Sequence, residues 1–202
     1  MSDSYKTIKG ISEGQYKDKG SKFLAFAYPV YTEEEIKEIQ KGLRKEFHDA
    51  RHHCFAYRLG AEKKIFRAND DGEPSNSSGK PILGQIQAFD LTNILIVVVR
   101  YFGGTLLGVG GLIQAYKTAA TEALKKAEII NKTVNDIIDI RFEYLDMNDV
   151  MKILKSEKPE QLKQKFDIDC YIQLSIRQSA TKKLLERLKK IESLKFEISG
   201  SR

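Results

Sequence analysis

Residues 94–99 read ILIVVV, six apolar side chains in a row with five of them β-branched. A strand sends successive side chains to opposite faces, so a run with no polar position has nowhere to meet water on either side. Such a segment reads as the central strand of a sheet, and the rest of the chain must supply its neighbours and its cover.

The preceding residues supply candidates. Over residues 7–30, TIKGISEG and KFLAFAYPV show apolar side chains at alternate positions and read as two strands joined by the polar turn KDKGS. Thr32 with Glu35 three residues on is a capping box, and Ile36, Ile39, Leu43 and Phe47 follow at helical spacing, which predicts a helix laid on the sheet. CFAYRLG from Cys54 reads as a further strand, Asn69 to Lys80 (NDDGEPSNSSGK) as a loop, and a helix is expected from about Leu112 to Ala127.

Near Asn131 the pattern restarts. DIIDIRFEY is a strand, Asp146 is placed to cap a short helix carrying Val150, Ile153 and Leu154, and Pro159 marks its end. Strands at 161–167 and 169–177, a basic helix at about 179–191 and a last strand LKFEIS complete a βαββαβ order, which suggests a ferredoxin-like domain. The expected division is 1–131 and 132–202, within a length that allows one large domain or two small ones. The halves differ in element order, which argues against duplication.

Two cysteines, Cys54 and Cys170, stand in no motif spacing, and no apolar run resembles a signal peptide or reaches the length of a membrane span. A cytoplasmic protein without a membrane partner is expected. The net charge of +6 is spread over both halves, a mildly basic surface that tolerates nucleic acid without demanding it.

Several stretches carry candidate chemistry. VVVRYFGGTLLGVGGLIQAY (97–116) has the strand, glycine turn, helix order in which backbone N–H groups attract an anion. It lacks the Lys and Ser/Thr of a P-loop after Gly111, and Ile113 breaks a dinucleotide fingerprint, so Gly103 and Gly104 serve either tight packing or anion contact. Arg100 and Tyr101, with Phe102, stand where a strand ends, suited to pairing a phosphate and stacking a base. DDGEPS forms either a rigid turn or a ligand site, in which the carboxylates of Asp70, Asp71 and Glu73 hold Mg²⁺ around a phosphorylated ligand that Ser75 also contacts.

His48 and His52 invite comparison with a zinc-protease helix. The helical signal fades by Phe47, so His52 is better read as ligand-facing at a strand start. Cys54 is a nucleophile candidate or a small core residue. Lys182, Lys183, Arg187, Lys189 and Lys190 surround an apolar stripe and form the densest basic cluster, read as a solvated face or an RNA contact. No metal or cofactor is expected, and no complete catalytic constellation is seen.

Taken together, His52-x-Cys54-x-Ala56-Tyr57, DDGEPS at 70–75, GKPIL at 79–83 and the glycine-rich stretch resemble the signature of the IMPACT/YigZ family. The resemblance covers nearly the whole chain. It implies an α+β protein with an N-terminal domain of the ribosomal protein S5 domain 2-like type and a ferredoxin-like C-terminal domain similar to the last domain of elongation factor G. Eukaryotic family members carry an RWD domain before the shared region and restrain a kinase that controls translation initiation; this chain begins at the shared region. Asn76, Ser77 and Ser78 stand where the family usually has a Gly-Thr-Ala-like stretch, Leu107 where a lysine is common, and Gln114 where an arginine is common.

The expected function is therefore a non-enzymatic binding protein acting in translation through RNA, a ribosome or a translation factor. The alternatives are an enzyme or sensor for a phosphate-bearing ligand held by DDGEPS and Arg100, and a protein adaptor.

Overall fold

The computed structural model describes residues 3–201. The chain forms two compact units, Tyr5–Lys132 and the residues from Thr133 onward together with Asp3 and Ser4. It is a mixed α+β protein whose larger sheets are antiparallel.

The first unit begins with β1 (Ser4–Ile8), β2 (Ser12–Asp18), β3 (Ser21–Pro29) and α1 (Glu33–Glu46). It continues with β4 (His52–Leu59), β5 (Ile65–Asn69), α2 (Gly79–Ala88), β6 (Ile94–Tyr101) and α3 (Gly108–Lys126). Its five-stranded sheet runs β2-β3-β6-β4-β5, which puts the ILIVVV strand at the centre. Leu95, Val97 and Val99 pack on the side of Ile36 and Leu43 of α1. Ile94, Ile96 and Val98 pack with Ile82 and Ile86 of α2 and Ala115, Tyr116 and Ala119 of α3. At about 1.5–3 kcal/mol per fully buried large apolar side chain, this strand is a main source of stability.

The residues read as one strand, TIKGISEG, are two. β1 ends at Ile8 and forms a two-stranded sheet with β7 (Ile129–Thr133), whereas β2 joins the main sheet. The polar turn that follows is a two-residue hairpin loop, with Lys19 and Gly20 both at positive φ as the twist of such a hairpin demands. Thr32 accepts the Glu35 N–H at 3.2 Å, while the Glu35 carboxylate reaches back to the Tyr31 N–H at 2.7 Å. β5 and α2 are additions to the sequence reading, and α3 starts at Gly108, four residues before the expected Leu112.

The second unit holds β8 (Asn135–Glu143), α4 (Met147–Glu157), β9 (Glu160–Lys165), β10 (Asp169–Arg177), α5 (Gln178–Leu188) and β11 (Lys195–Ser201). Its sheet runs β11-β8-β10-β9. Val150 and Leu154 of α4 and Leu184 and Leu188 of α5 share one core with Ile138, Ile140, Ile172 and Leu174, so both helices cover the same sheet face.

Asp146 does stand at the start of α4, but its carboxylate accepts from the Ser193 hydroxyl instead of capping the helix. The cap of α5 comes from far away in the chain. Asp3 accepts the Ser179 N–H at 3.1 Å and grips the Arg177 guanidinium with two 2.7 Å bonds. Those bonds group the start of the chain with the second unit, and the bond from Arg177 above all holds the Asp3 carboxyl well below the usual range.

Candidate ligand groove

β4 and β6 lie side by side with His52 opposite Arg100, so the end of the sheet presents both side chains on the α2/α3 face. The Arg100 guanidinium donates to Glu73 Oε1 at 2.7 Å, and the Tyr116 hydroxyl donates to the same oxygen at 2.7 Å. Cys54 Sγ donates to the Tyr116 oxygen at 3.2 Å and lies 3.0 Å from the Asp70 carbonyl. The Arg100 and Glu73 side chains are 7% and 3% exposed, and burial of such an ion pair is tolerated only because each charge has its partner. The guanidinium also lies 5.5 Å from the Phe23 ring centre and 5.7 Å from that of Phe102. Its Nε–H is buried without an acceptor among the described residues.

Burial pushes the Cys54 thiol up to about 12, which leaves almost no thiolate at neutral pH. Cys54 is a core residue, and the nucleophile reading has no support in this environment. Burial likewise drives the Tyr116 hydroxyl far above its ordinary value, so it remains a donor.

In DDGEPS the two aspartates hold the loop together. Asp70 Oδ1 accepts from Ser78 Oγ at 2.7 Å and from the Gly79 N–H at 2.8 Å, and Oδ2 accepts from the Asn76 N–H at 2.8 Å. This carboxylate thus caps α2, a task its own Ser78 does not perform. Asp71 accepts the His53 N–H at 2.6 Å and the Arg44 guanidinium at 2.7 Å. Burial works to raise both carboxyls, but these hydrogen bonds outweigh it and both sit below their ordinary value. His52 Nδ1 lies 2.9 Å from the Asp71 carbonyl. A carbonyl only accepts, so Nδ1 carries the proton and the neutral ring keeps its lone pair on Nε2.

A groove of about 380 Å³ is lined by Arg51, His52, Glu73, Pro74 and Arg100, and by Phe102, Leu106, Leu107, Gly108, Val109 and Leu112 of the glycine-rich stretch. His52, Glu73 and Arg100 are thus brought together. Asp70, Asp71, Ser75, Tyr101, Gly103 and Gly104 are not among its lining residues. Tyr101 follows Arg100 on the strand and turns to the opposite face, where its hydroxyl donates to Asp49 at 2.8 Å. Gly103 is a packing glycine, because a Cβ there would stand 1.9 Å from the Gly20 carbonyl carbon. Gly104 takes the positive φ of the turn, and Ser75 is exposed and accepts from the Asn76 amide.

The sequence reading missed Arg51, which is exposed and unpaired among the described residues, and the apolar rim of which Leu106 is 82% exposed. It also missed Tyr116 as the link between Cys54 and Glu73. Arg51 stands immediately before His52 at the strand start, a signal that could have been read. The first turn of α3, whose Gly108 and Val109 line the groove, contains no acidic residue and has no side-chain cap, which leaves the partial positive charge of the helix start without a side-chain partner. His48 lies beyond the end of α1 and His52 opens β4, so the two do not share a helical face.

The basic helix is more committed than its composition suggested. Glu157 of α4 accepts Lys183 at 2.9 Å and Arg187 at 2.5 Å, and the Lys189 ammonium lies 5.6 Å from the Phe196 ring centre. Lys182 and Lys190 remain exposed, with Lys182 4.0 Å from Glu186. No helix among the described residues is long and apolar enough to cross a membrane.

Two α+β units, the first with residues of an acidic loop and of a glycine-rich loop lining one groove, define the class of protein. Residues 19–124 match the Impact N-terminal domain model, and the chain belongs to the IMPACT family. It is 36% identical over 144 residues to the IMPACT family member YvyE of Bacillus subtilis (strain 168), covering 71% of this chain and 66% of that one. It is also 36% identical over 138 residues to the IMPACT family member YigZ of Escherichia coli (strain K12), covering 67% and 68%. A crystal structure described as that of a hypothetical protein matches with a TM-score of 0.74 at 26% identity, covering 99% of each chain.

Proposed function

We propose that this protein is a non-enzymatic binding protein acting in translation, and that the groove of its first unit holds a nucleotide of single-stranded RNA. The supporting observation is the meeting of exposed Arg51 and the uncapped start of α3 with exposed apolar side chains in one groove. A nucleotide asks for both: a cation or helix N-terminus for its phosphate, and a flat apolar surface such as Phe102 for its base. The groove volume also lies in the range of small-ligand sites. The translation setting rests on family membership and on the resemblance drawn from the motifs. The same resemblance favours a ribosomal protein S5 domain 2-like first unit and a ferredoxin-like second unit, and the β11-β8-β10-β9 sheet with two helices on one face supports the latter assignment.

Fluorescence anisotropy of a labelled single-stranded RNA of about ten nucleotides tests the proposal. Affinity should fall steeply with salt, and Arg51→Glu and Phe102→Ala should each weaken it by roughly tenfold, as expected for losing one phosphate contact or one stacked base. Lys182→Glu with Lys190→Glu should have a smaller effect, whereas a larger one would move the site to α5. Absence of salt-sensitive binding by the wild-type protein sinks the proposal.

A further inference from the structure

The second unit carries an apolar surface that has no part in the groove. Tyr144 and Leu145, in the single 3₁₀ turn between β8 and α4, stand beside Ile168, in the loop between β9 and β10. Leu145 is 88% exposed and Ile168 83%, in a depression of about 450 Å³. These are not loose tips. The Tyr144 N–H donates to the Ile168 carbonyl at 3.2 Å, and the Ser193 hydroxyl accepts the Glu143 N–H while donating to Asp146, so both loops are tied down. Holding large apolar side chains in water on a fixed backbone is the mark of an interaction surface.

The charges beside it indicate what it takes. Glu143, Asp167 and Asp169 line the same depression, and no cationic side chain lines it with them. Glu143 and Asp169 are direct cross-strand partners of β8 and β10, a placement in which like charges repel. Neither carboxylate forms an ion pair among the described residues, while Asp167 lies 3.9 Å from Lys165 and accepts the Ile168 N–H at 3.0 Å. Nucleic acid and anionic lipid are disfavoured there by charge. Among the described residues no group of three or more His, Cys, Asp and Glu is arranged to hold a metal ion.

We infer that this surface docks a protein segment carrying apolar side chains flanked by lysine or arginine. Its apolar groups cover Leu145, Ile168 and Tyr144, and its cations relieve the opposed pair of Glu143 and Asp169.

Anisotropy of the full chain with a labelled peptide of interspersed leucines and arginines, and with its leucine–glutamate counterpart, tests this. The arginine peptide should bind and the glutamate peptide should bind at least tenfold more weakly. Leu145→Ser with Ile168→Ser should weaken the arginine peptide by at least tenfold while leaving RNA binding unchanged, which separates this surface from the groove. Glu143→Gln with Asp169→Asn should weaken the peptide and yet raise the melting temperature of the free protein, opposite signs that a purely structural role would not give. The inference is overturned if the arginine peptide does not bind, if both peptides bind alike, or if the four substitutions change nothing. It is equally overturned if light scattering shows self-association lost in Leu145→Ser, because the occupant would then be a second copy of this chain.

Discussion

Glu73 and Arg100 are each other's counter-charge with both side chains almost wholly buried, and Tyr116 is the third member. Removing one partner strands the other, so Arg100→Met should destabilise the protein by about 3 kcal/mol in urea unfolding, and Glu73→Leu by a similar amount. The double substitution should cost clearly less than the two single costs added, because it leaves no unpaired charge. Additive costs would show that the pair is not coupled. At this scale the sequence was only partly readable. His52, Glu73 and Arg100 could be singled out as residue types with chemistry, but Glu73 reaches the groove only because Asp70 and Asp71 are consumed in shaping the loop. Nothing in the order of three neighbouring acids says which will be spent on backbone N–H groups. Arg100 and Tyr101, read as a pair, are separated by the alternation of the strand that carries them.

Elements were legible in proportion to how much they bury. The β6 run announces itself because both faces are core, whereas β5 has no fully buried side chain and its residues give no alternating signal. α2 hides for another reason. It opens on Gly79 within a glycine- and serine-rich stretch, and Pro81 lies in its first turn, where a missing N–H costs nothing but where the sequence looks like a loop. α3 was found but begun late, since Gly108, Gly110 and Gly111 are poor helix formers and the residues that pack α3 on the sheet begin only at Leu112. That packing is close: a Cβ on Gly14 of β2 would stand 2.2 Å from the Ala123 nitrogen of α3. Gly14→Ala should therefore cost about 3 kcal/mol through displacement of the helix from the sheet. Gly42→Ala, in α1 with open space at its Cβ, should instead gain about 0.5–1 kcal/mol. Equal effects of the two substitutions in thermal or urea unfolding would contradict the packing argument.

For the molecule as a whole, the start of the chain matters to its far end. Asp3 is anionic, accepts the Ser179 N–H and pairs with Arg177, and its carboxyl is held below the ordinary value of 3.8. A carboxylate with a depressed folded value stabilises the fold at all pH values above its unfolded value and loses that contribution as pH falls towards the folded one. Asp3→Asn should accordingly melt lower than wild type at neutral pH, with the gap closing below about pH 4. A gap that stays constant across the acid range would remove Asp3 from the account of α5.

The same contact also sets an order of events during synthesis. Asp3 and Ser179 are 176 residues apart in sequence, so the anion waits for all of that intervening chain to be made before its helix exists. Until then the Asp3 carboxylate has no helix to cap, although its carbonyl can already accept the Val134 N–H at 2.7 Å, and α5 gains its cap only when that early segment is free to return. A partner that detains the segment around Asp3 would delay α5, and a defect in either would be read out in the other.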